Sequence, residues 1–211
     1  MNIRGMLDAL LAVELAIYWG TVVVKSIRLA RKIGRDPNVI PREATGRRLR
    51  LIWVPTILAW CTVPWVNALL PANRLPEMLR PLGAFSPLGL AVAVLAIVIG
   101  AIALAATFVC WRKMGRSWRI GIDPSEKTQL IITGPYRLVR HPIYALSVVL
   151  MLCSVAAIPS GVMLVLAAIH ILMLQLEARR EEAYLTSVHG SDYLSYMQSV
   201  GRFIPRRRNV S

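Results

Sequence analysis

Residues 142–176 read PIYALSVVLMLCSVAAIPSGVMLVLAAIHILMLQL, thirty-five residues without a lysine, arginine, aspartate or glutamate. The run is too long for one membrane span and about right for two, since about 20 apolar residues cross a hydrocarbon core roughly 30 Å thick. Near its midpoint stand Pro159, Ser160 and Gly161. Proline breaks the helix that precedes it, and glycine tolerates a tight bend. The stretch is therefore predicted to be a transmembrane helical hairpin. Folding back about Ser160 sets position 139 level with position 181, so Arg140 and His141 on one foot face Glu181 and Glu182 on the other. A guanidinium, an imidazole and two carboxylates gathered at one membrane surface have the look of a site.

The rest of the chain is equally apolar. With 56% hydrophobic residues among 211 and a mean hydropathy of +0.55, it is expected to be a single all-α polytopic membrane domain, residues 1–211. Five spans are predicted: Leu7 to Val24, Leu51 to Leu70, Leu88 to Cys110, Ile143 to Ile158 and Gly161 to Leu176. The last two hold 16 residues each, about 24 Å of helix. They need flanking side chains that reach the interface, Tyr144 among them, or a thinner bilayer. Four spans with a re-entrant hairpin is the alternative. In the third span Ala93, Ala96, Gly100, Ala101 and Ala105 offer small residues for close helix packing.

The net charge of +14 follows the membrane rather than a nucleic acid. Nine basic residues lie between Lys25 and Arg50, seven between Arg112 and Arg140, and six after Leu176, against two between Pro71 and Pro87. By the positive-inside rule those three segments are cytoplasmic, which places the N-terminus outside and the C-terminus inside. Arg28, Arg31, Lys32 and Arg35, and the tail Arg206-Arg207-Arg208, are expected at anionic headgroups. The first span does not read as a cleavable signal peptide, having only Arg4 ahead of it and Glu14 inside it. Cys61, Cys110 and Cys153 are scattered in apolar runs and suggest no disulfide framework. His141, His170 and His189 lack metal-ligand spacing, so no metal is expected. Glu14 and His170 are costly intramembrane groups that invite either a functional or a packing reading.

The densest string is Gly134-Pro135-Tyr136-Arg137-Leu138-Val139-Arg140-His141-Pro142-Ile143-Tyr144. Pro142 suits the first turn of a helix and keeps His141 extended, with Tyr144 close by on that turn. Downstream come Glu177, Arg179, Arg180, Glu181 and Glu182, then His189-Gly190, Tyr193 and Tyr196. The fifth helix is expected to run on into the cytoplasm until Gly190, after which a short segment returns toward the membrane. The connection from Arg112 to Arg140, broken by Gly115, Gly121, Asp123-Pro124 and Gly134-Pro135, is long enough to be functional.

In order and spacing these strings resemble the isoprenylcysteine carboxyl methyltransferase family and its relatives among membrane phospholipid methyltransferases. The matching elements are Gly134-Pro135-Tyr136, Arg140-His141-Pro142-Ile143-Tyr144, the hairpin, Glu181-Glu182, Gly190 with Tyr193 and Tyr196, and Pro205; Gly115 and Trp118 look like the start of the related loop. The resemblance covers roughly residues 111–205, a methyltransferase-like catalytic region, and residues 1–85 carry no matched motif. It implies an enzyme transferring a methyl group in line from S-adenosylmethionine to a lipophilic or lipid-modified acceptor that enters from the bilayer. It also implies a cytoplasm-facing pocket covered by the loop and the C-terminal tail.

The resemblance implies cofactor-binding residues Leu130, Ile131, Tyr136, Arg140, His141, Pro142, Tyr144, Glu181 and Glu182. Leu130, Ile131 and Tyr136 would border the adenine, Arg140 and His141 would meet the carboxylate, and Glu181 with Glu182 the ammonium. Arg140, His141, Tyr144 and Glu177 are the candidate catalytic residues. Where eukaryotic members of the family carry an arginine facing a substrate carboxylate, this chain has Glu177, which disfavours a prenylcysteine carboxylate as acceptor. No glycine-rich strand-to-helix turn of a soluble dinucleotide fold is present. Competing readings are an NADPH-dependent membrane reductase of the sterol-reductase type and a non-enzymatic membrane scaffold.

Overall fold

The computed structural model describes residues 2–34, 36, 39, 41, 43–83, 86–115, 118 and 130–206. Arg35, Gly121, Asp123-Pro124, Arg207 and Arg208, named above, lie outside these residues. Six helices follow in order: α1 (Ile3–Ile33), α2 (Ala44–Leu69), α3 (Pro87–Met114), α4 (Pro142–Ala157), α5 (Gly161–His189) and α6 (Ser191–Ser199). Among the described residues, short 3-10 turns at Ala72–Arg74, Glu77–Leu79 and Gly134–Arg137 complete the regular structure, and no strand is present. The chain is an all-α polytopic membrane protein.

Polar caps start the helices where the sequence supplies them. Asn2, Ser86 and Ser160 accept hydrogen bonds from the backbone N–H of Gly5, Gly89 and Met163 at the starts of α1, α3 and α5, each satisfying a donor that the helix itself leaves unpaired.

Four helices, α1, α2, α3 and α5, are long and apolar enough to cross a membrane, and α4 is a shorter apolar helix of 16 residues. The predicted fourth span is therefore real as a helix but about 24 Å long. Protein groups meet its early end: the Arg4 guanidinium donates to the Ala157 carbonyl, and the N–H of Leu82 donates to the Pro159 carbonyl at 2.9 Å. Carbonyls at a helix end that would otherwise need water are thus satisfied within the molecule.

α3 packs along α4, α1 lies against both α2 and α3, and α2 lies against α5. The small-residue stripe on α3 differs from the prediction. Ala93, Ala96, Gly100 and Ala103 are buried, whereas Ala101 and Ala105 face outward. The 3.6-residue period selects one face, and those two alanines fall off it. Gly100 leaves room on that face for the Glu14 carboxyl, which would have to shift for a side chain there, since a Cβ would lie 2.6 Å from Glu14 Oε2.

At the centre, Trp19 meets Trp53 and Trp60 edge-on with centroids 6.3 Å away in each case, and His170 lies 4.9 Å from Trp60. His170 is fully buried. Trp53 Nε1 donates to its Nδ1 at 3.1 Å, which leaves the proton on Nε2 to be donated to Ser147 Oγ at 3.0 Å. Through these bonds His170 ties α2, α4 and α5 together.

Candidate functional site

Pro142 opens α4, and its ring keeps the preceding residue out of helical geometry. His141 accordingly stands as the N-cap, with φ −123° and ψ 66°. Its ring stacks on Tyr144 at 5.4 Å with planes 3° apart, and Phe203 meets it edge-on at 6.0 Å. The imidazole is thereby fixed at the lip of the helix.

The hairpin brings its two feet together in the expected register. Glu182 is 4% exposed and accepts on Oε1 from Arg140 Nε and Nη2 at 3.0 and 2.8 Å. His141 Nε2 is 3.2 Å from the same oxygen. Arg202 adds Nε to Oε1 at 3.0 Å and Nη2 to Oε2 at 2.5 Å. The other imidazole nitrogen, Nδ1, lies 3.2 Å from Glu181 Oε2. Burial works against a charged imidazole, yet the two carboxylates outweigh it and hold His141 above its usual value. Burial likewise disfavours a charged Glu182, but bonds from His141, Arg202 and Arg140 hold it well below the carboxylate range. With a donor needed toward each glutamate, His141 is an imidazolium.

The C-terminal segment is laced onto this cluster. At Gly190 (φ +53°) the chain leaves α5, in a left-handed conformation that suits glycine, and turns into α6. α6 buries Tyr193 and Tyr196, and the Tyr196 hydroxyl donates to the Tyr136 carbonyl at 2.5 Å. Residues 200–202 then run beside residues 139–141. The N–H groups of Arg140 and His141 donate to the carbonyls of Gly201 and Arg202 at 2.8 and 3.1 Å, and Arg140 Nη1 donates to the carbonyls of Met197 and Val200. Gly201 has no room for a side chain, since a Cβ would sit 1.9 Å from the Ile204 carbonyl oxygen.

A cavity of about 620 Å³ lies against the cluster, within the size range of small-molecule sites. Leu130, Ile131, Tyr136, Arg140, His141, Pro142, Tyr144, Glu177 and Glu181 all line it. Glu182 does not. It stands behind the wall and gathers three cationic side chains, whereas Glu181, at 27% exposure, presents a carboxylate to the cavity. Glu177 is buried and held by Arg180 Nη1 at 2.7 Å, and Arg180 also pairs with Glu43. One guanidinium is thus shared between two carboxylates, so Glu177 keeps an acidic character on the cavity wall.

The opposite wall comes from α1 and α2, whose sequences carried no matched motif. Tyr18, Trp19 and Val22 contribute from α1, and Arg50, Trp53 and Ile57 from α2. The Arg50 guanidinium lies 5.4 Å from the Trp53 ring centroid, with its Nε buried and without a hydrogen-bond partner among the described residues. Trp111 and Trp118 close another side under the Lys25 ammonium, which is 5.0 Å from the Trp118 ring. Val23, Ile27, Val54 and Leu58 line the cavity and are exposed, so it is open along α1 and α2. Arg202 and Arg50 were not legible as site residues. Arg202 follows the glycine that lets the tail turn, and Arg50 sits one turn before Trp53, but nothing in the sequence says which helix faces which.

Residues 88–192 match the family model described as phospholipid methyltransferase. Through this segment the chain belongs to the phospholipid methyltransferase family. That family includes the isoprenylcysteine carboxyl methyltransferase-like membrane enzymes, so the resemblance drawn from the motifs holds. No curated protein and no solved structure matches the chain. As a phospholipid methyltransferase family member with membrane-spanning helices, it is a membrane methyltransferase. The matched segment holds both feet of the hairpin and ends before the Gly201-Arg202 hook.

Proposed function

We propose that the donor is S-adenosylmethionine and that the acceptor is a lipophilic molecule reaching the cavity from the bilayer. The observation that carries this reading is one cavity wall on which Glu181 stands beside the Arg140-His141 pair, with Leu130, Ile131 and Tyr136 on the same cavity. Two guanidiniums and an imidazolium gather on Glu182, with Glu181 on the other side of the imidazole, and the one positive charge left over suits the carboxylate of an amino acid moiety. Glu181 beside them suits its ammonium. The apolar surface of Leu130 and Ile131 and the Tyr136 ring suit a purine. By the positive-inside rule, the end of the molecule bearing this site is cytoplasmic.

When bound, the donor supplies an electrophilic methyl group on a sulfonium. The contribution of the chain is then geometric: His141, fixed by Tyr144 and both glutamates, and the tail laced over Arg140 hold the wall rigid and keep water out. Tyr144 and Glu177 also line the cavity; the Tyr144 hydroxyl suits orienting an acceptor, and the Glu177 carboxylate suits taking a proton from it.

The test is thermal stability of the detergent-purified protein titrated with S-adenosylhomocysteine and, in parallel, NADPH. S-adenosylhomocysteine is expected to raise Tm with saturation and NADPH to leave it unchanged. A rise with NADPH alone overturns the reading.

A further inference from the structure

At the end of the molecule remote from the methyltransferase cavity lies a second cavity, of about 240 Å³, lined by residues that include Arg4, Asp8, Asn67, Leu69, Leu70 and Pro71. Arg4, Asp8 and Asn67 are 3%, 2% and 8% exposed, and each keeps a buried polar atom without a hydrogen-bond partner among the described residues: Arg4 Nη1, Asp8 Oδ1 and Asn67 Oδ1. The rest of each side chain is engaged. Arg4 Nε donates to Asp8 Oδ2 at 3.3 Å and Nη2 to the Ala157 carbonyl, while Asn67 Nδ2 donates to the Val63 carbonyl at 3.1 Å. Asp8 Oδ1 lies 2.8 Å from Arg4 Nη2 in an ion pair without hydrogen-bond geometry. Leaving a buried polar group unpaired costs about 1–3 kcal/mol, more when it is charged. Two such atoms, Arg4 Nη1 and Asn67 Oδ1, and an Asp8 Oδ1 held by an ion pair alone therefore ask for a ligand that satisfies all three.

The required ligand can be read from the atoms. Arg4 Nη1 needs an acceptor, most strongly an anionic oxygen. Asp8 Oδ1 and Asn67 Oδ1 need N–H or O–H donors. One arginine and one aspartate leave the site without net charge, which suits a zwitterion. The cavity lies where α1 begins and α2 ends, at headgroup depth for helices that cross a bilayer, and Leu69 (73% exposed) and Leu70 (43%) form an apolar rim for acyl chains.

We propose that this cavity binds a phosphoethanolamine group, its phosphate on Arg4 and its ammonium on Asp8 and Asn67. The group is carried by a membrane lipid seated at the opposite membrane face from the catalytic cavity. The site is structural or regulatory and independent of the acceptor site.

The experiment is thermal unfolding of the full-length detergent-purified protein with added dioleoyl-phosphatidylethanolamine, dioleoyl-phosphatidylcholine or free phosphoethanolamine, for the wild type and for Asn67→Leu and Glu181→Gln. Asn67→Leu removes the unpaired oxygen and only one local helix bond, so it leaves the fold intact. The ethanolamine lipid is expected to raise Tm saturably by several degrees in the wild type and in Glu181→Gln but not in Asn67→Leu. The choline lipid, whose ammonium has no N–H to donate, is expected to have no effect. A shift with free phosphoethanolamine that Asn67→Leu abolishes supports the same chemistry with a soluble source. An equal shift with the choline lipid, a shift retained in Asn67→Leu, or none with either ethanolamine compound overturns the proposal and leaves ordinary water as the occupant.

Discussion

Glu181 and Glu182 are adjacent in sequence and opposite in use. Glu181→Gln removes the carboxylate that faces the cavity, and a charge-assisted hydrogen bond is worth about 1.5–3 kcal/mol. Isothermal titration should therefore show S-adenosylhomocysteine binding weakened roughly 10- to 150-fold, with Tm close to wild type. Glu182→Gln instead leaves Arg140, Arg202 and His141 around a neutral amide. Breaking a buried pair costs about 3 kcal/mol at the low end of the usual range, the appropriate end because Arg202 is partly solvated. For a chain of this size that lowers Tm by about 6–12 °C. Equal melting of the two variants would contradict the division of labour.

The same cluster sets a pH dependence. His141 is held above its ordinary 6.5, so its stabilisation is complete below 6.5 and is lost as pH climbs through the raised value. Glu182 is held below its ordinary 4.5, so its share is present above 4.5 and lost only as pH falls through the lowered value. On the alkaline side the stability advantage of wild type over His141→Gln should shrink as pH rises, as read by melting curves. A constant difference across that window would mean that His141 is not protonated in the folded protein.

Among the elements, the α4–α5 hairpin was legible because a charge-free run has few ways to sit in a membrane and Pro159 to Gly161 fixes its turn. Register then followed by counting. The hook formed by residues 200–202 was not, since Gly201 shows its necessity only against the Ile204 carbonyl folded over it. The small-residue face of α3 was half legible, because composition shows the alanines and only the helical period sorts Ala103 in and Ala105 out. His170 joins three elements and makes a prediction at this scale. His170→Phe keeps the ring but strands Trp53 Nε1 and the Ser147 hydroxyl, each costing about 1–3 kcal/mol. Tm should fall while S-adenosylhomocysteine affinity stays unchanged; loss of affinity at unchanged Tm would give the residue a role in the site that its burial does not show.

For the molecule as a whole, the cavity exists only because α1 and α2 stand across from the motif-bearing half. Their part in it was hidden because helix pairing inside a membrane is decided by packing, which valine, leucine and tryptophan serve in many arrangements. The opening at Val23, Ile27, Val54 and Leu58 can be tested directly. Leu58→Trp should slow transfer of labelled methyl to membrane lipid extract without changing S-adenosylhomocysteine affinity. Full transfer by that variant would place the acceptor's entrance elsewhere. The family match begins at residue 88 and so omits both of these helices. On the proposed function, reaction and recognition fall in separable parts of one chain, and grafting the first two helices between relatives should carry the choice of target with them.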